Sequence, residues 1–171
     1  MHLTIRTIVI IIAVLVGLDQ LTKYWIDSSM TLYQSDGIVS DIFALTYVRN
    51  TGAAFGFLSQ MPAWFRQPFF YLTTGIAIVI LAVFLHRLGE NEQLSRLSVV
   101  AILSGAIGNL IDRVRFGYVI DFLDFSWKGY HWPAFNVADM CITLGVIGLL
   151  WSSVRGEQNR SQLHSAAQPP G

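Results

Sequence analysis

From Phe69 to Leu85 the chain carries no charged residue, and this is one of four apolar stretches that read as bilayer spans. A spanning helix needs roughly 17 to 25 mostly apolar residues, because lipid offers nothing to satisfy an open backbone. The other windows run from Ile8 to Trp25, Leu97 to Ile111 and Phe135 to Trp151. Composition agrees: 13% of residues are charged, about half the roughly 25% of an ordinary soluble domain. The expected fold is an all-α membrane protein with four transmembrane helices, at about 8–25, 69–85, 97–111 and 135–151, in one domain covering 1–154. No internal repeat is visible. Residues 155–171 are polar and end in Pro-Pro-Gly, so they are expected to form a disordered tail.

Eleven basic and eleven acidic residues cancel, which leaves no basic field to hold nucleic acid. A single cysteine, Cys141, excludes an internal disulfide and offers no zinc framework. The N-terminus has Arg6 followed by an apolar run, as a secretory signal does. That run leads into Asp19, Gln20 and Lys23 rather than a small-residue cleavage site, so the first span is expected to be retained.

Four spans place both termini and the 86–96 connection on one side, and the 26–68 and 112–134 connections on the other. Arginine and lysine do not orient the bundle: Arg6, Arg87, Arg96, Arg155 and Arg160 face Arg49, Arg66, Arg113, Arg115 and Lys128. The acids are one-sided. Asp27, Asp36, Asp41, Asp112, Asp121 and Asp124 lie in the second set, with Asp19 and Asp139 near helix ends that face it. Ile42 to Arg49 is rich in β-branched and aromatic residues and stops at Asn50-Thr51-Gly52, which predicts a strand and turn in a small sheet at the membrane surface. Phe57 to Phe70 mixes Trp64, Phe65 and Met61 with Arg66 and Gln67, the composition of an interfacial segment between helices one and two.

Polar groups recur in short patches at that same face: Asp19 and Lys23; Asn50 to Phe55; Asn109, Asp112 and Arg113; Asp121; Asn136 and Asp139. Spacings of three and four give Asn109, Asp112 and Arg113 one helix face, and Asn136 and Asp139 another. An acid at membrane depth costs about 2.5 to 3.5 kcal/mol even on the lenient insertion scale, so Asp139 is a functional candidate. Asp121, just past helix three, can meet it. Two carboxylates in one cleft cannot both ionise and share a proton, the arrangement of an aspartic protease. Plainer readings compete at other positions. Asp19 with Lys23 reads as an i,i+4 ion pair, Asp112 beside Arg113 as a helix-end charge, and Asp124 near His131 as a solvated loop acid. Cys141 and the glycines of helix three read as packing residues.

The motifs DQLTK (Asp19 to Lys23), RNTGAAF (Arg49 to Phe55), SGAIGNLIDR (Ser104 to Arg113), GYVIDF (Gly117 to Phe122) and FNVAD (Phe135 to Asp139) resemble, in this order, those of the signal peptidase II family over about residues 8–154. The resemblance implies a multi-pass enzyme of the bacterial inner membrane, with its site at the periplasmic face and both termini, the polar tail included, in the cytoplasm. It implies removal of signal peptides from prolipoproteins by cleavage before a cysteine bearing diacylglycerol. It puts the catalytic aspartates on Asp121 and Asp139, and site-supporting or substrate-binding roles on Asp19, Lys23, Asn50, Gly52, Asn109, Asp112, Arg113 and Asn136. Ser104 stands where the family pattern has the first glycine of a GGA triplet.

The expected chemistry is peptide hydrolysis by a water activated on the aspartate pair, with no metal or other cofactor, in a monomer whose partners are lipidated substrate and membrane lipid. A carrier or proton channel would also keep intramembrane acids, but would more often set them at the midplane between repeats. A metal-dependent phosphotransferase would need several acids in one compact ligand set.

Overall fold

The computed structural model describes the backbone of residues 3–40, 42–52, 57–128 and 130–166, with side chains as far as Arg155. Asp41, the Ala53 to Phe55 part of the RNTGAAF motif and residues 167–171 of the tail lie outside the described residues.

Among the described residues four helices make the bundle: α1 (Ile5–Ser29), α2 (Ala63–Arg87), α3 (Gln93–Phe116) and α4 (Val137–Ala166). Each contains a stretch apolar and long enough to cross a membrane, ending at Arg155 in α4. The helices run past the apolar windows at every end except the start of α4, which begins at Val137 rather than at the expected Phe135 because Asn136 caps it. Thr4 caps α1 through its hydroxyl, which accepts from the Thr7 N–H at 3.2 Å. Gly117 closes α3 at φ +78°, a conformation glycine adopts without strain. α2 starts six residues ahead of the expected span. Part of the interfacial segment is therefore helical, and Arg66 ties it to the preceding turn by donating to the carbonyls of Ser59 and Met61, each at 3.2 Å. Trp64 and Phe65 remain exposed there. The backbone of α4 runs to Ala166, into residues expected to be a disordered tail. Polarity does not preclude a helix, and no proline intervenes before Pro169.

α3 is the central helix and carries more buried positions than any other element among the described residues. It packs on α4 through small residues. A Cβ on Gly105 would run into the Ala138 carbonyl, and one on Gly145 would come within 2.6 Å of Ile102 Cγ1 and of the Ser98 carbonyl oxygen. Ser104, the departure from the family pattern, is 1% exposed and turns its hydroxyl back onto the Val100 carbonyl at 2.7 Å, so the substitution is absorbed inside the helix. At one end of the bundle, Arg96 donates to the carbonyls of Leu88 and Leu3, and Ser95 meets Ser152. The beginnings of α1 and α3 and the end of α2 therefore lie together.

The opposite end carries, among the described residues, four antiparallel strands in the order β1 (Ser35–Val39), β2 (Phe43–Asn50), β3 (Val119–Trp127), β4 (Tyr130–His131). The expected 42–49 strand is β2, and its partner β3 comes from the connection after α3. Asp124 is accordingly not a loop acid. It lies in β3, where it accepts from Thr46 Oγ1 and contacts His131 Nδ1, both at 3.1 Å. Ile26, Tyr47, Ile120 and Phe122 form a buried cluster that seats the sheet on α1 and on the start of α4 through Val137.

Candidate active site

The β2–β3 register puts Asn50 opposite Val119 and Val48 opposite Asp121. The Asn50 side chain reaches diagonally across the ladder, and Nδ2 donates to Asp121 Oδ2 at 2.9 Å. Asn50 Oδ1 accepts from the Gly52 N–H at 3.0 Å, which fixes both the turn and the direction in which the amide faces. Arg113 Nη2 donates to the Gly52 carbonyl at 3.2 Å and lies over the Phe70 ring, 4.6 Å from its centroid.

Asn136 caps α4. Its Oδ1 accepts from the Asp139 N–H at 2.9 Å, and Asp139 Oδ2 accepts in return from the Asn136 N–H at 3.3 Å. This is a reciprocal capping box built from Asn and Asp. Asn136 Nδ2 then faces Asp121 Oδ1 at 2.6 Å, with the Ile120 carbonyl and Asn109 Oδ1 each at 3.2 Å. Asn109 Nδ2 donates to Asp139 Oδ1 at 2.8 Å. Asp121 and Asp139 are thus brought together on the amides of Asn136, each with a further asparagine on its other oxygen. Asp121 is 2% exposed. Burial, together with the negative charge of Asp139, pushes its carboxyl up to about 7.

Beneath this pair sits Lys23, also 2% exposed, with Nζ at 2.9 Å from each of Asp19 Oδ2, Asp112 Oδ2 and Asn109 Oδ1. The Asp19–Lys23 pair is the i,i+4 ion pair its spacing allows, but it lies inside the bundle rather than on its surface. Asp112 is likewise no helix-end surface charge: it is 1% exposed and accepts from the Ile120 N–H at 3.2 Å. All ten sequence-derived site residues, Asp19, Lys23, Asn50, Gly52, Asn109, Asp112, Arg113, Asp121, Asn136 and Asp139, fall into one connected network. Sequence reasoning missed Gln20 and Tyr71, whose hydroxyl donates to the Arg113 carbonyl at 2.9 Å. Gln20 Nε2 donates to Asp112 Oδ1 at 2.9 Å and to the Gly108 carbonyl at 3.2 Å. The signal for Gln20 is an uncharged polar residue directly beside the acid Asp19 at the end of an apolar run. Gly108 leaves room for this layer, since a Cβ there would lie 2.6 Å from Asp19 Oδ2.

The chain matches known proteins over most of its length. The family model described as signal peptidase (SPase) II matches residues 11–155. A lipoprotein signal peptidase of Geobacter metallireducens is 46% identical over 157 residues, 92% of this chain and 96% of that protein. One of Geobacter sulfurreducens is 49% identical over 144 residues, 84% of this chain and 89% of the relative. A solved bacterial membrane enzyme superposes with a TM-score of 0.83 at 34% identity, covering 93% of this chain and 95% of that one. With a family model matching residues 11–155 and relatives this similar over most of their length, the chain belongs to the signal peptidase II family.

Proposed function

We propose that this peptidase is of the aspartic type, that Asp121 and Asp139 are its catalytic pair, and that it removes signal peptides from prolipoproteins by cutting before a diacylglyceryl-cysteine. The observation that carries the reading is the pair itself: two carboxylates, one from a strand and one from a helix N-terminus, joined by the amides of Asn136. Two acids so placed share one proton. The ionised member takes a proton from a water molecule, the water oxygen attacks the scissile carbonyl carbon, and the protonated member donates to the carbonyl oxygen. Collapse of the tetrahedral intermediate breaks the C–N bond, and the amine leaves with a proton returned by the pair. No covalent link to the enzyme forms. Asn50, Asn109 and Asn136 hold the carboxylates with amide donors, so that little reorganisation is needed when charge moves.

The relatives named lipoprotein signal peptidase support a lipoprotein precursor as substrate. The lipid chains stay in the bilayer between helices while the peptide reaches the pair at the bundle end. In this reading that end faces the periplasm, both termini are cytoplasmic, the 155–171 segment is a tail outside the peptidase domain, and the monomer is sufficient. Cleavage of one lipobox peptide, with and without diacylglycerol on its cysteine, tests the substrate assignment. Turnover of the lipidated peptide alone, insensitive to chelator, supports it. Equal cleavage of both peptides overturns the lipid requirement, and loss with chelator followed by recovery with magnesium overturns the mechanism.

A further inference from the structure

We propose that Lys23 is a positioning residue that sets the separation of the two aspartates, because the carboxylates on its ammonium grip the peptide N–H immediately before each member of the pair. This role rests on Asp121 and Asp139 being the catalytic dyad. Asp19 Oδ1 accepts from the N–H of Ala138 at 2.9 Å, one residue ahead of Asp139. Asp112 Oδ2 accepts from the N–H of Ile120 at 3.2 Å, one residue ahead of Asp121. Both carboxylates meet Lys23 Nζ at 2.9 Å.

A third route is side chain to side chain. An ammonium only donates, so the atom of Asn109 at 2.9 Å from Nζ is its oxygen, which turns Nδ2 toward Asp139 Oδ1 at 2.8 Å. The three N–H bonds of Lys23 thus have three acceptors, and each acceptor leads to the pair. A helix-stabilising ion pair would need only the Asp19 contact. Here the carboxylates come from α1 and α3, while the backbone groups they hold belong to β3 and α4. One cation fixes how the strand bearing Asp121 sits against the helix bearing Asp139.

The test uses the full-length enzyme in detergent. The pairs Lys23→Met/Asp19→Asn and Lys23→Met/Asp112→Asn remove the ammonium with one negative charge, so the cluster keeps its net charge. Lys23→Arg keeps the charge, but its planar fork cannot present one nitrogen to three acceptors. Misplacement of the pair should lower kcat by about 100-fold in the double variants and about tenfold in Lys23→Arg. KM for the lipidated peptide should stay within about threefold, because Lys23 is buried with all three acceptors supplied by the protein. A purely structural lysine would lower the yield of folded protein and leave kcat per folded molecule unchanged. Wild-type kcat in Lys23→Arg or in either double variant, beside an inactive Asp121→Asn, overturns the role of Lys23 and leaves the dyad standing. Full turnover in Asp121→Asn overturns both.

Discussion

Asn136 donates its side-chain amide to Asp121 across 2.6 Å and its backbone N–H to Asp139 across 3.3 Å. The residue that caps α4 is therefore also the bridge between two acids. Its burial is complete, so its donors have no water to turn to, and their direction is set by the carboxylates.

The first prediction comes from the proton held at Asp121. Burial and the charge of Asp139 push this carboxyl up to about 7, so the last shared proton should leave the free enzyme near neutral pH. A profile of kcat/KM on a lipidated peptide should fall above about pH 7, approaching tenfold per unit, and fall again in acid when both members are protonated. Activity flat to pH 9 would contradict the shared proton.

The same shift has a stability consequence. A carboxyl with a raised folded-state value binds more protons folded than unfolded between about 4 and 7, so it destabilises the protein progressively as pH rises through that window. Asp121→Asn removes the titration. The melting temperature of the variant minus that of the wild type should move in the variant's favour from pH 4 to pH 8, whatever its starting sign. A difference independent of pH would show that Asp121 titrates normally.

Helix contact gives a third expectation. Gly105 faces the Ala138 carbonyl with no room for a Cβ, and Ala138 is the residue whose N–H is held by Asp19. Gly105→Ala should cost about 1 to 3 kcal/mol by overpacking and should lower turnover of the surviving folded fraction. Gly75, with open space around its Cβ position, should accept alanine, and thermal unfolding in detergent separates the two.

Orientation is testable without the enzyme's substrate. The beginnings of α1 and α3 share one end of the bundle and the strands the other. Reporter fusions after Gln93 and after Asp36 should report opposite sides, with Gln93 cytoplasmic. An external Gln93 would invert the arrangement.

Much of the fold and site was legible in the sequence for a physical reason. Membrane depth makes every polar residue expensive, so Asp19, Asn109 and Asp139 stand out against apolar neighbours, and spacings of three and four assign them to helix faces. β3 was less legible. Val119 to Trp127 carries Asp121 and Asp124 amid apolar residues, and its pairing with β2 joins two connections far apart in sequence, which local periodicity does not record. Gln20 escaped because an uncharged amide beside Asp19 gives no sign of its partner Asp112 on another helix. The last turns of α4 are not legible in the same way, because a polar stretch with no apolar face looks like a disordered tail, although Glu, Gln and Arg are good helix formers.

The most direct measurement of the central claim is single-turnover cleavage of a lipidated peptide by Asp121→Asn and Asp139→Asn, with Asp124→Asn as control. Asp124 lies on the sheet with Thr46 and His131, outside the network around Asn136. Each dyad variant should remain folded and lose about 100- to 10,000-fold in rate, the span expected for a positioned acid or base, while Asp124→Asn keeps near-normal turnover. Near-normal rates in either dyad variant would contradict the assignment of Asp121 and Asp139 as the catalytic pair.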